Sequence, residues 1–178
     1  MRQVIIGLAS LAFLCSPVAV SADEPTKPEP ELRVLEDMIG TWDEVMSNKP
    51  TEWLPKAERS ESITKKNWSL GGKFIRMEGV WKPAKTEFLS LVSYDPATKE
   101  YRTWYFDSAG GQPRGSVRGA WDDKTRTMTW TGTDEAGNKT VGKSKIVDRD
   151  THEWTVVTTN PDGKVVLDIT AKNTRRKE

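Results

Sequence analysis

Few residues in this chain could do chemistry. Among its 178 residues there is one His, His152, and one Cys, Cys15. That leaves too few soft ligands for a structural zinc site, which takes four. A haem would want an axial ligand such as His. His152, however, follows Asp148-Arg149-Asp150-Thr151 and reads as a solvated turn residue. General acid–base catalysis needs carboxyl groups converging in a pocket. Asp107 is the acid best placed for that, and nothing pairs with it in sequence. Most other acids fall in turns or alternate with Lys and Arg as a solvated face. There is no phosphate-cradling Gly loop and no nucleophile elbow. The expectation is a binding protein rather than an enzyme, with no cofactor and no metal site.

The unusual resource is tryptophan, with eight in the chain. Seven of them (Trp42, Trp68, Trp81, Trp104, Trp121, Trp130 and Trp154) fall in segments that read as strands. Trp53 falls in a long connection, placed to act as a lid or an anchor. Lining a hollow interior, such side chains would favour a small, partly apolar ligand. Trp53, Trp81, Trp104, Tyr105, Asp107 and Trp130 are the candidate ligand-binding residues. Nucleic acid is an unsuitable partner, because 27 basic and 26 acidic residues are intermixed with no basic stripe.

These residues need elements to position them. Residues 1–22 have the pattern of a signal peptide. Arg2 precedes an apolar run from Val4 to Leu14, Pro17 breaks it, and Val20-Ser21-Ala22 ends in small residues. The run is too short to span a bilayer. Removing it takes away Cys15 and leaves 27 basic residues, less Arg2, against 26 acidic ones. The expected mature chain is neutral, free of disulfides and without a stable membrane span. It is expected to be exported, to the periplasm or outside the cell. Residues 23–31 read as a flexible lead and 32–178 as one domain.

That domain opens with Leu32, Leu35, Met38 and Ile39 at helical spacing before Gly40, which predicts a short helix of two to three turns. Short runs rich in Val, Ile, Thr and aromatics follow, separated by turn residues. They predict strands at 41–47, 59–70, 73–81, 87–94, 101–107, 115–121, 127–133, 138–147, 152–159 and 164–172. Three turns share one pattern, a large apolar residue followed by Asp-x-x-Thr-x-x and a second one. They start at Tyr94, Trp121 and Val147, 27 and 26 residues apart. An Asp opening such a turn accepts hydrogen bonds from backbone N–H groups two residues on. That period is two strands and two turns, so the three turns share one end of the sheet. Ten strands are an even number, so the last ends where the first begins and a meander can close. The predicted fold is all-β, an antiparallel up-and-down barrel of about ten strands with a short N-terminal helix. A filled-core barrel binding a protein or glycan through surface aromatics is the alternative function.

Gly40-Thr41-Trp42 after a short helix resembles the Gly-x-Trp signature of lipocalins and the wider calycin group. With Leu70-Gly71-Gly72-Lys73-Phe74-Ile75, Tyr94-Asp95-Pro96, Tyr101 and Asp107-Ser108, the chain resembles an uncharacterised bacterial family with a lipocalin-like barrel. The resemblance implies that Trp42 opens the first strand at the closed end. It also implies a basic residue over that Trp, from Lys172, Arg175 or Arg176. It implies a fold and no reaction. The Gly-rich stretch that follows the Trp in haem-binding relatives is replaced by Asp43-Glu44-Val45.

Overall fold

The computed structural model describes residues 27–110 and 117–177. The predicted signal peptide, with Cys15, lies outside the described residues. So do positions 23–26 of the predicted lead and 111–116 of the turn before the sixth strand.

Ten strands form one closed antiparallel barrel in which sequence neighbours are spatial neighbours. They are β1 (Gly40–Asn48), β2 (Arg59–Ser69), β3 (Phe74–Trp81), β4 (Thr86–Asp95), β5 (Glu100–Asp107), β6 (Val117–Asp122), β7 (Thr127–Thr133), β8 (Lys139–Ile146), β9 (Thr151–Thr159) and β10 (Val165–Arg175). β1 closes the ring against β10 from Trp42↔Arg175 to Asn48↔Ile169, so no edge is left open. Strand ends fall within three residues of the predicted ones.

The helix over Pro30–Met38 is a 3-10 helix. Its apolar residues Leu32, Leu35 and Met38 recur every third position, which lines them up on one stripe at three residues per turn. All three are buried, against Ile75, Val92, Tyr101, Met128 and Ile146 from five strands. The helix is therefore the floor of the barrel. The Tyr101 hydroxyl donates to the Glu31 carbonyl at 2.7 Å, and Arg126 pairs with Asp37.

Trp42 joins the floor to the wall. Its Nε1 donates to the Met38 carbonyl at 2.8 Å, and the residue is only 1% exposed. Of the three basic residues considered for the position over it, Arg175 occupies it, 4.4 Å from the ring centroid. The same guanidinium donates to the carbonyls of Ile39, Asp37 and Arg149.

The Asp turns gather at this end. Asp95 Oδ1 accepts from the Ala97 and Thr98 amides. Asp122 takes the Lys124 amide on Oδ1 and the Thr125 hydroxyl on Oδ2. These hydrogen bonds, the Thr hydroxyl first, hold both carboxyls below the usual range. The third turn departs. Lys99 and Arg126, four residues after their Asp, adopt positive φ of 55° and 52° within the turn. After Asp148 the chain re-enters a strand at Thr151, so the equivalent position, His152, lies inside β9.

Arg175→Ala should lower unfolding free energy by roughly 2–4 kcal/mol, through lost charged hydrogen bonds and cation–π contact. Arg176→Ala, which removes an exposed pair with Asp43 at 3.5 Å, should cost less than about 1 kcal/mol. Urea midpoints of the two variants check the contrast.

Candidate functional site

Strand register decides which residues see the interior. Paired residues share a face. From Trp42↔Thr64 and Trp68↔Ile75 the inward set runs round the ring. On β3 it is Ile75, Met77, Gly79 and Trp81, as alternation predicts. On β5 it is Tyr101, Thr103, Tyr105 and Asp107, which settles a choice that sequence left open. On β10 a bulge between Val165 and Leu167 breaks alternation. Val166 is buried and Val165 exposed, so Val165 does not share a face with Leu167 and Ile169 as strict alternation would place it.

One side of the lower interior, on β1, β2, β9 and β10, is polar. Glu44, Ser62, Thr64, Lys66, His152 and Asn173 are all buried. The Lys66 ammonium donates to Asn173 Oδ1 at 3.0 Å and meets His152 Nδ1 at 3.2 Å. Asn173 passes the polarity on, its Nδ2 donating to Glu44 Oε1 at 3.2 Å. Glu44 also accepts from the Thr64 hydroxyl at 2.6 Å and from Trp154 Nε1. An amide thus bridges a buried cation and a buried anion. An ammonium only donates, so His152 Nδ1 accepts and the ring proton sits on Nε2. That Nε2, and the Ser62 hydroxyl, are buried with no hydrogen-bond partner among the described residues.

Burial pulls Lys66 down to about 8, against the raising charge of Glu44 and with a smaller push from Arg175. Burial, and then the Lys66 charge, hold His152 well below its ordinary value. His152 is therefore a neutral interior group and not the solvated turn residue expected from its neighbours. The first two Asp-x-x-Thr turns suggested the wrong backbone state for it.

Above this level cover varies, with Trp81, Phe88 and Thr158 buried near the mouth. Met77, Ser90, Thr103, Trp130, Ser144, Trp154, Val156 and Ile169 point inward yet are only half-buried. Two glycines make room. A Cβ on Gly119 would lie 2.5 Å from the Trp130 ring, and one on Gly79 would lie 2.9 Å from Phe88. The Trp130 ring lies over Gly119, and the edge of the Phe88 ring approaches Gly79. Trp81, Phe88 and Tyr105 form a staircase towards the mouth, with centroids 5.2 and 6.1 Å apart and ring planes within 22°.

The candidate residues separate accordingly. Trp81, Tyr105 and Trp130 face inward, and Trp130 Nε1 donates to Ser144 Oγ at 3.2 Å. Tyr105 is 46% exposed at the upper end. Asp107 caps a turn, accepting the Ala109 amide at 3.0 Å. Trp104 is on the outer wall beside Phe74, in a groove of about 410 Å³ with Tyr94 and Arg102. It cannot share a lumen with Tyr105. Trp53 is pinned to β10 by its amide on the Val166 carbonyl at 3.2 Å. A larger groove of about 610 Å³ also lies on the outer wall, across β1, β9 and β10.

Sequence reading missed Glu44, Ser62, Thr64, Lys66 and Asn173. Their only signal is position at every second residue of β1, β2 and β10, and it means nothing until register is known. No group of acids, His and Cys able to hold a metal occurs among the described residues.

A closed ten-stranded meander, floored by a helix and a Gly-x-Trp corner, is a calycin-type barrel. The chain belongs to DUF1579, a family of proteins of unknown function, with residues 27–175 matched. Among solved structures it is similar to the S-type phycobiliprotein lyase CPES from Guillardia theta. That match has a TM-score of 0.59 and 10% identity, over 82% of this chain and 92% of the other. It is also similar to a DUF3598 protein of unknown function from Nostoc punctiforme PCC 73102. There the TM-score is 0.55 with 10% identity, over 80% of this chain and 49% of the other. The chain thus spans about half of that second protein. At such identities the likeness is one of fold. No curated protein matches.

The buried cluster makes stability depend on pH. Between pH 8 and 10.5 the unfolded chain holds a proton on Lys66 that the folded chain has released, so stability rises with pH there, by roughly 3 kcal/mol. Below pH 6.5 unfolded His152 binds a proton that the folded state refuses, so stability falls with acid. Urea unfolding across these windows should lose the alkaline slope in Lys66→Met and the acid slope in His152→Gln.

Proposed function

We propose that this is an exported binding protein whose barrel interior takes one small, partly apolar molecule. The observation that carries the reading is the half-buried inward belt. Met77, Thr103, Trp130 and Val156 point to the axis of a closed barrel and remain partly exposed. Protein interiors are ordinarily filled, and a barrel of this size is wide enough for one small ligand. Aromatic and aliphatic walls with a few polar groups suit such a ligand. Export rests on the pattern of residues 1–22. The absence of a catalytic constellation in the sequence favours binding over catalysis. The fold likeness to a phycobiliprotein lyase is compatible with this reading at the level of the barrel.

The competing reading uses the outer wall, and Trp104 beside Arg102 is the observation that favours it. One comparison separates the two. Thr103→Trp places bulk inside the barrel, whereas Thr131→Trp places it on the exposed outer face. Native mass spectrometry of protein isolated from its source should show a retained small molecule. Thr103→Trp should lose that molecule and Thr131→Trp should keep it. Retention in Thr103→Trp, or its loss in Trp104→Ala instead, would move the site to the outer wall.

A further inference from the structure

The polar floor makes a demand of whatever occupies the barrel. His152 is 3% exposed, and its Nε2 has no hydrogen-bond partner among the described residues. The Lys66 ammonium on Nδ1 forces the ring proton onto that nitrogen, so it is a buried donor in want of an acceptor. Leaving such a group unsatisfied is costly, and native proteins rarely do so without a ligand, ion or water to meet it. Its place in the barrel suits a ligand. On β9 the next inward residue above His152 is Trp154, which is only half-buried, so the donor lies one step below the accessible belt. Ser62 Oγ, the other unpartnered atom, lies on β2 where Gly79 lets Phe88 approach.

Charge selects the kind of acceptor. Lys66 and Glu44 already balance, bridged by Asn173. Glu44 is further held by Thr64 and Trp154. A ligand carboxylate would bring a second anion beside Glu44 into a low-dielectric site, with Lys66 already engaged. A neutral carbonyl needs one donor and disturbs nothing.

We propose, resting on the interior-binding reading above, that the barrel selects small apolar molecules ending in a neutral carbonyl, whose oxygen accepts from His152 Nε2–H. The molecule enters carbonyl first, with its apolar body against Trp130 and Tyr105, the partly exposed rings of the wall.

The probe is Prodan, an aromatic ketone, compared with 6-(dimethylamino)-2-naphthoate, which replaces the ketone by a carboxylate, and with 2-(dimethylamino)naphthalene, which lacks it. Fluorescence titration should show Prodan binding roughly tenfold more tightly than either analogue, the worth of one buried hydrogen bond. His152→Phe should abolish that preference, and His152→Gln, which keeps a donor, should retain part of it. Because His152 is the only histidine, its Nε2 gives a single imidazole signal in long-range ¹H–¹⁵N NMR of the unmodified protein. That signal should move on adding Prodan and stay in place with 2-(dimethylamino)naphthalene. The NMR arm needs no variant to fold. Equal affinity for all three probes, a preference surviving in His152→Phe, or an unmoved signal with Prodan bound overturns the proposal and leaves interior binding standing. The last outcome would mean that Nε2 serves an internal water. If no probe binds, or binding survives Thr103→Trp, interior binding itself fails.

Discussion

The barrel depends on how Trp42 is held. Its indole lies between two cations, Arg175 at 4.4 Å and Lys66 at 5.1 Å, and ties the helix to β1 through the Met38 carbonyl. Arg175 sits on the last paired position of β10 and reaches back to carbonyls at the helix end. One side-chain stack therefore closes the seam between first and last strands and seats the floor. Cations on an aromatic face gain most when water is excluded, and Trp42 is essentially unexposed.

That arrangement has a consequence for the interior. Lys66 lies within the barrel, and a buried ammonium is tolerable only when paired and hydrogen-bonded. Glu44 supplies the opposite charge and Asn173 the bridge. Replacing such a network with apolar side chains of the same volume is often neutral or stabilising, so stability alone does not explain it. Burial, and then the Lys66 charge, keep His152 neutral, and the Lys66 contact on Nδ1 leaves its proton on Nε2.

The upper half follows a different principle. Gly79 and Gly119 take the places where side chains would push Phe88 and Trp130 off the wall. Trp81 and Phe88 are buried there, while Trp130 and Tyr105 stay partly exposed.

Much of the architecture was legible in the chain. The spacing of Leu32, Leu35 and Met38 encodes a helical stripe, and the Asp-x-x-Thr repeats encode turns at one end. Local backbone chemistry determines both, so neighbours in sequence suffice. Strand count and closure followed from turn spacing. Much of the site was hidden. Ser62, Thr64 and Lys66 lie in a strand with no apolar alternation, so only pairing with Glu44, Trp42 and Gly40 shows that they face inward. His152 was misread because the third repeat leaves its turn two residues sooner than the other two. Arg175 could be singled out among three basic residues only by the register that places it opposite Trp42. Local spacing determined the elements and their order. Register between distant strands decided which polar residues meet in the dark interior, because one residue of slip turns every side chain to the opposite face.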